Sequence, residues 1–169
     1  RNYAGGLIGY LSYEAVNYFE PSVNVKVHDT FDQFMFGVYL DGVILDKLTN
    51  ELFYFFYETD RSDLLKKVIG EAAKNKSFKA EFIRDGLTKD EHAAVVERVK
   101  EHIRAGNTFQ CEVGFKSEYT LEGDPVAIYE RLREVNPSPF MYHLKFGSAS
   151  AKGSGETRHI IGASPELLF

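Results

Sequence analysis

The sequence predicts an α+β fold with largely antiparallel sheets and helices packed outside them. Strand candidates dominate the first half of the chain, and helix candidates flanked by further strands follow. The chain also contains 14 Phe and 10 Tyr but no Trp, and aromatic side chains at this density favour the broad faces of β-sheets. With 169 residues and 44% hydrophobic content, the chain is long enough for one domain with a core.

The first half of the chain is predicted to consist mainly of strands. Glycines among apolar residues over Ala4–Tyr13 indicate a strand with close backbone neighbours. A short helix at Ala15–Phe19 should follow and end before Pro21. Asp41-Gly42 is typical of a two-residue hairpin turn, and Thr49-Asn50 is expected to turn the next strand pair. The strand candidates joined by these turns are Gln33–Leu40, Val43–Asp46 and Glu51–Glu58.

Two helices are predicted in the middle of the chain. Apolar residues at helical spacing indicate the first over Asp60–Lys74, and a solvated lysine-rich linker is expected over Lys74–Lys79. Thr88 and Glu91 have the spacing of a capping box at the start of the second helix. Gly106 should end that helix, because glycine readily takes the left-handed conformation of a helix terminus.

Strands surround a fourth helix in the last part of the chain. The helix should begin with Asp124 as its cap and Pro125 at its first position. Before it, Thr108–Tyr119 alternates as a strand, with Cys111 on the apolar face as a packed core thiol and Gln110 on the polar face. Further strands are expected on either side of a Gly/Ser-rich loop, at Phe140–Phe146 and His159–Gly162.

Composition excludes several classes of protein. The net charge of −5 and the lack of a basic run argue against a nucleic-acid binder, and no apolar stretch approaches the ~20 residues of a membrane span. The single cysteine excludes an internal disulfide framework, and the five histidines show no metal-ligand spacing. These features are typical of a cytoplasmic protein.

Four segments along the chain together resemble one enzyme family. In order they are Gly5–Glu14, Gly106–Gln110, Asn136–Tyr142 and Gly162–Phe169. They are similar to segments of the chorismate-utilising enzymes, and within that family to the large, chorismate-binding subunits of anthranilate synthases. The resemblance implies that the chain is part of the family's two-sheet sandwich.

The resemblance also implies that residues 1–169 are an incomplete central portion of a single domain, whose N-terminal and C-terminal catalytic segments are missing. The chain begins with Arg1 and stops within the strand-like run at Phe169. We therefore expect the full-length protein to be an enzyme of the carbon–oxygen lyase type, and the isolated 169 residues to be inactive.

Gln110 is the first candidate catalytic residue. Strand alternation alone favours a solvent-exposed side chain, because Glu112 and Lys116 share its face. By resemblance, relatives that add water to chorismate carry a lysine here that activates the water, whereas relatives that add ammonia carry glutamine. Ammonia is already a nucleophile, so a neutral amide that orients it is enough. The resemblance therefore implies amination.

Glu166 is the second candidate catalytic residue. Taken alone, a glutamate after a Ser-Pro turn is typical of an exposed charge or a helix-cap partner. By resemblance it is the general acid that protonates the C4 hydroxyl of chorismate as that group leaves. This role requires a carboxyl kept protonated near neutral pH by burial or by a neighbouring carboxylate.

A proline-rich segment is the candidate inhibitor site. Two prolines after a helix give a rigid entry into the next strand, which is a sufficient structural explanation by itself. By resemblance the segment lines a pocket for tryptophan, and Met141 favours an anthranilate synthase over the aminodeoxychorismate synthases, which usually carry a small residue there. The segment consists of Asn136, Pro137, Ser138, Pro139, Phe140 and Met141.

The implied reaction converts chorismate and ammonia to anthranilate and pyruvate in tryptophan biosynthesis, with feedback inhibition by tryptophan. A glutamine amidotransferase subunit would supply the ammonia, and Mg²⁺ would hold chorismate through ligands outside this chain. Two alternatives stay open. One is an aminodeoxychorismate synthase component, and the other is a non-catalytic module that senses tryptophan or docks a subunit.

Overall fold

The computed structural model describes residues 5–29, 31–71, 76–147 and 157–164, which form two compact units. The first unit comprises residues 1–75 and 136–169, and the second comprises residues 76–135. All four described strand pairs are antiparallel, and helices occur in both units. The predicted α+β class with antiparallel sheets is therefore confirmed.

The first unit begins with a strand, a helical turn and a second strand. β1 (Gly6–Leu11) pairs with β2 (Phe34–Tyr39), and between them a 3₁₀ turn at Tyr13–Ala15 leads into α1 (Val16–Phe19). Ala15 is among the most buried described residues, with 2% of its surface exposed. The predicted strand and short helix are both present.

The next hairpin differs from the predicted one. β3 (Asp41–Asp46) pairs with β4 (Glu51–Phe56) across a turn that contains Asn50 at φ 56°, as expected for Thr49-Asn50. The predicted Asp41-Gly42 turn is wrong, because both residues belong to β3. A Cβ at Gly42 would overlap the ring of Phe55 on β4, so this glycine serves packing and not a turn.

The first unit is completed by one helix and a second hairpin. α2 (Ser62–Ile69) is shorter than the predicted helix, part of which lies outside the described residues. β7 (Phe140–Phe146) pairs with β8 (Arg158–Ser164), and both strands are where the sequence predicts them. Phe146 is buried and contacts Tyr10 of β1 edge-on at 5.5 Å between ring centroids, which joins this hairpin to the first strand at that point. The intervening Gly/Ser-rich loop lies outside the described residues, apart from its two ends.

The second unit contains one hairpin-like strand pair and two helices. β5 (Phe78–Asp85) pairs with β6 (Ser117–Gly123), and α3 (Lys89–Arg104) lies between these two strands in the sequence. The last element of the unit is α4 (Pro125–Val135). The predicted linker over Lys74–Lys79 is wrong for its last two residues, which belong to β5. Although seven of the eight β5 residues are exposed, Phe78, Ala80 and Phe82 alternate with Lys79 and Glu81, which is the sequence pattern of a strand.

The predicted helix termini are confirmed. Thr88 Oγ1 accepts the backbone N–H of Glu91 at 3.3 Å, and the Glu91 carboxylate accepts the Thr88 N–H at 2.8 Å. Gly106 follows α3 with φ 78°. Asp124 accepts the Val126 N–H through Oδ1 at 2.9 Å, at the start of α4. No helix in the described ranges is long and apolar enough to cross a membrane.

The predicted strand Thr108–Tyr119 is wrong over most of its length. β6 begins only at Ser117, which pairs with Asp85, and residues 107–116 form neither helix nor strand. β5 ends at Asp85, so the residues before Ser117 have no β5 neighbour to pair with. Cys111 is consequently exposed and not a core thiol, and this prediction is also wrong.

Candidate functional site

The β7–β8 hairpin places the candidate inhibitor segment beside the strand that leads toward Glu166. Residues Asn136–Met141 run into β7, and Phe140 at the start of β7 pairs with Ser164 at the end of β8. Glu166 follows Ser164 by two positions and lies outside the described residues. The inhibitor segment and the end of β8 therefore lie at the same end of one hairpin.

A side-chain hydrogen bond extends this pairing beyond the strands. The Ser138 hydroxyl donates to the backbone carbonyl of Ser164, and the contact is partly buried. Ser138 stands between Pro137 and Pro139, neither of which has a backbone N–H to donate. The serine side chain thus supplies a cross-strand bond that its proline neighbours cannot.

The inhibitor segment lies largely at the surface of its unit. Ser138 and Met141 are half-buried, whereas Phe140 leaves 49% of its surface exposed. Asn136, Pro137 and Pro139 are exposed. The two half-buried side chains are therefore the ones that the surrounding structure holds most closely.

Two histidine side chains contact each other across the middle of the same hairpin. His143 Nε2 lies 2.7 Å from His159 Nδ1, and the rings stack with 5.0 Å between centroids. A hydrogen bond between two imidazoles needs one ring to donate and the other to accept. No local sequence pattern indicates this pair, because the two histidines become diagonal neighbours only through the strand register, which pairs His143 with Ile161 and His159 with Lys145.

Gln110 lies in the second unit, in the exposed segment 107–116. Its backbone carbonyl accepts a hydrogen bond from Thr108 Oγ1 at 2.8 Å, and its side chain is exposed. At the end of the segment, the backbone N–H of Gly86 donates a hydrogen bond to the carbonyl of Lys116 at 2.7 Å. In the middle of the segment, the backbone carbonyl oxygen of Val113 lies 3.3 Å from Nε2 of His92 on α3. This contact attaches the segment to α3.

Charged side chains fix the exit of the Gln110 segment into β6. Glu118 accepts hydrogen bonds from Arg84 Nε at 2.8 Å and pairs with Lys116 Nζ at 3.0 Å. These contacts, led by the hydrogen bond from Arg84, lower the pKa of Glu118 to about 2. Glu118 is therefore ionised at neutral pH and is unsuited to act as an acid.

The clefts among the described residues of the first unit include two of about 290 Å³, and neither of these two is lined by a predicted site residue. One is lined by charged side chains, with Arg61 Nε donating to Asp41 at 2.7 Å. This hydrogen bond is the main cause of the lowered pKa of Asp41. The other is apolar and is lined by Gly6, Tyr39, Leu40, Phe55, Phe56 and Tyr57.

The predicted site residues belong to different parts of the chain as the structure describes it. The inhibitor segment is joined to the end of β8, whereas Gln110 belongs to the second unit and Glu166 is outside the described residues. The described ranges contain no group of three or more His, Cys, Asp or Glu side chains that could hold a metal ion. The sequence pattern places Ser138 in the inhibitor segment but contains no local signal for its bond to Ser164.

Comparison with known proteins gives one consistent result. The family model described as chorismate binding enzyme matches residues 1–169. Anthranilate synthase component 1 of Leptospira biflexa is 42% identical over 99% of this chain and 35% of the relative. The same-named proteins of Methanothermobacter thermautotrophicus and Saccharolobus solfataricus are 36% and 31% identical, again over 99% of this chain, and over 34% and 36% of their own lengths. The chain therefore spans about a third of the length of these relatives.

A solved structure agrees with the fold. Anthranilate synthase component I from Streptococcus pneumoniae TIGR4 superposes with a TM-score of 0.67 over 98% of this chain and 39% of that protein, at 24% identity. The sequence resemblance stated from four segments is thus confirmed over the full chain, and we conclude that the chain belongs to the chorismate binding enzyme family.

Proposed function

We propose that the full-length protein acts as the large subunit of an anthranilate synthase, which converts chorismate and ammonia to anthranilate and pyruvate. The match of the whole chain to the chorismate binding enzyme family carries this proposal. The naming of relatives from bacteria and archaea as anthranilate synthase component 1 supports the choice of reaction. A cytoplasmic location is part of the proposal.

Gln110 would select ammonia as the nucleophile. A primary amide both donates and accepts hydrogen bonds but does not take up a proton near neutral pH, so it can orient ammonia without activating water. Its exposed position on the segment 107–116 leaves the amide open to a ligand. Ammonia then adds at C2 of chorismate, and the C4 hydroxyl leaves.

Glu166 would supply the proton that lets the C4 hydroxyl leave as water. Loss of the enolpyruvyl group as pyruvate then gives the aromatic product. A carboxyl can act in this way only if its surroundings raise its pKa toward neutrality. Glu118, whose pKa is held near 2, shows the opposite environment in the same chain.

Tryptophan, Mg²⁺ and a glutamine amidotransferase complete the proposal. The inhibitor would contact the segment that contains Met141 and lower the rate of the reaction. The amidotransferase would deliver ammonia from glutamine. The described residues do not form a cluster that fits a metal ion, so the proposal assigns no step to Mg²⁺ through them.

The alternative within the family is an aminodeoxychorismate synthase component, which shares the amination but retains the pyruvate group. Met141, half-buried at the start of β7, favours anthranilate over this alternative. A non-catalytic tryptophan-sensing or docking module is the alternative outside catalysis. An aminodeoxychorismate synthase would consume chorismate without releasing pyruvate. A non-catalytic module would not consume chorismate.

Gln110→Lys tests the role of the amide in choosing the nucleophile. In the full-length protein, we expect the lysine to activate water and to shift the products toward hydroxylated isomers of chorismate, as measured by chromatography of the reaction mixture. Gln33→Lys, the same change in the first unit, is the matched control and should leave the product ratio unchanged. An unchanged ratio in Gln110→Lys would remove Gln110 from the nucleophile site.

A further inference from the structure

Two histidines of α3 contact the Gln110 segment, one before Gln110 and one after it. Before it, the side-chain Nδ2 of Asn107 lies 3.0 Å from Nδ1 of His102. After it, the carbonyl oxygen of Val113 lies 3.3 Å from Nε2 of His92. Asn107 precedes Gln110 by three positions and Val113 follows it by three. The helix therefore holds the segment at two points, with Gln110 midway between them.

The direction of each hydrogen bond follows from the atoms involved. A backbone carbonyl can only accept, so Nε2 of His92 carries the proton that it donates to Val113. An amide nitrogen can only donate, so Nδ1 of His102 accepts from Asn107. One imidazole therefore acts as a donor toward the segment, and the other acts as an acceptor.

These contacts matter because the Gln110 segment has no ladder to fix it. Its residues form neither helix nor strand, so side-chain contacts determine where its backbone lies. The half-buried ring of His92 also meets the ring of Phe115 edge-on, with 5.5 Å between centroids. Within the segment, the Thr108 hydroxyl donates to the carbonyl of Gln110 itself at 2.8 Å. The backbone of Gln110 is thus held both from α3 and by its own neighbour.

We propose that His92 and His102 are positioning residues that hold Gln110 where its amide meets ammonia. This inference rests on the proposed function, in which Gln110 orients ammonia for attack on chorismate. Neither histidine touches the substrate in this scheme, and each acts through the Gln110 segment. Their loss weakens the use of ammonia and leaves the binding of chorismate unchanged, because small misplacements of an orienting group cost large factors in rate.

His92→Phe in the full-length protein tests the inference, because it removes the donor and keeps an aromatic ring beside Phe115. With saturating chorismate, we expect kcat/KM for ammonium to fall about tenfold, the loss expected from one orienting hydrogen bond. KM for chorismate should stay within about twofold of the wild-type value. His92→Gln places an N–H donor near the position of Nε2 and should recover most of kcat/KM. An unchanged kcat/KM in His92→Phe, or an equal loss in His92→Gln, would contradict a positioning role.

His102→Phe tests the second contact at an exposed position. It should lower kcat/KM for ammonium in the same way, and His102→Asn, which keeps an acceptor near the position of Nδ1, should recover it. If circular dichroism shows that His92→Phe does not fold, the His102 variants carry the test. The matched control is His28→Phe in the first unit, where the ring contacts Phe31 edge-on at 5.8 Å between centroids. This variant should keep the wild-type kcat/KM for ammonium.

Gln110→Ala, measured alone and combined with His92→Phe, distinguishes failure of the inference from failure of the proposed function. If His92 acts through Gln110, the double variant should lose little more than Gln110→Ala alone, because both changes remove one shared effect. Additive losses would overturn the positioning role and leave the role of Gln110 intact. Normal use of ammonium in Gln110→Ala would overturn the role of Gln110 and the inference together. Absence of anthranilate formation by the wild-type protein would overturn the proposed function and, with it, the inference.

Discussion

Glu118 is held ionised at the point where the Gln110 segment enters β6. Arg84 on the neighbouring strand donates two hydrogen bonds to its carboxylate, at 2.8 and 3.2 Å, and Lys116 lies 3.0 Å away. A planar guanidinium matches both carboxylate oxygens at once. This pair therefore fixes the register at the irregular position of the β5–β6 ladder, between Phe82 and Arg84.

The lowered pKa of Glu118 predicts how this pair contributes to stability as the pH changes. A carboxyl whose folded-state pKa of about 2 lies below its unfolded value contributes stability above the unfolded pKa and loses it as the pH falls toward 2. Arg84→Gln should thus lower the thermal unfolding midpoint of the full-length protein at pH 7. The difference from wild type should narrow as the pH is lowered from ~5 to ~3.

An exposed arginine without a described ion pair provides the control for this prediction. Arg98 lies on the exposed side of α3, and Arg98→Gln should change the unfolding midpoint little at any pH. If the unfolding midpoints of Arg84→Gln and wild type differ by the same amount from pH 7 to pH 3, Arg84 does not lower the pKa of the Glu118 carboxyl.

Helix α3 shows which elements the sequence can predict. Its start depends on Thr88 and Glu91, which lie within one turn, and its end depends on Gly106 at φ 78°. These interactions are local, so residue type and spacing determine them. Apolar alternation likewise located β7, and the short strand predicted after the Gly/Ser-rich loop corresponds to β8, its antiparallel partner.

The elements that sequence reasoning missed depend on partners far along the chain. Alternation over 108–119 predicted a strand, but pairing with β5 begins only at Ser117. Asp41-Gly42 matched a turn motif, yet Gly42 lies opposite Phe55 within a hairpin that is turned elsewhere. The Ser138–Ser164 bond joins residues 26 positions apart, and only the hairpin register brings them together.

The capping box of α3 gives a prediction at the scale of the element. Thr88→Ala removes the oxygen that accepts the Glu91 N–H and should lower the free energy of unfolding by about 1 kcal/mol. Urea unfolding of the full-length protein followed by circular dichroism measures this difference. Thr88→Ser keeps the oxygen and should stay close to wild type; an equal loss in both variants would contradict a capping role.

At the scale of the whole molecule, the two units carry different candidate functions. The second unit contains Gln110, which would select the nucleophile, and the first contains the inhibitor segment with Met141 and Ser138. The chain spans about a third of the length of its relatives (35% of the Leptospira biflexa protein). Activity is therefore a property to be measured on the full-length protein.

The most direct test of the central claim is the reaction itself. Full-length protein incubated with chorismate, Mg²⁺ and excess ammonium should produce anthranilate and pyruvate in equal amounts. Anthranilate is measured by its fluorescence. Tryptophan should lower the rates at which both products form. Consumption of chorismate without pyruvate would contradict the anthranilate assignment and favour aminodeoxychorismate synthesis. No consumption of chorismate would contradict an enzymatic role.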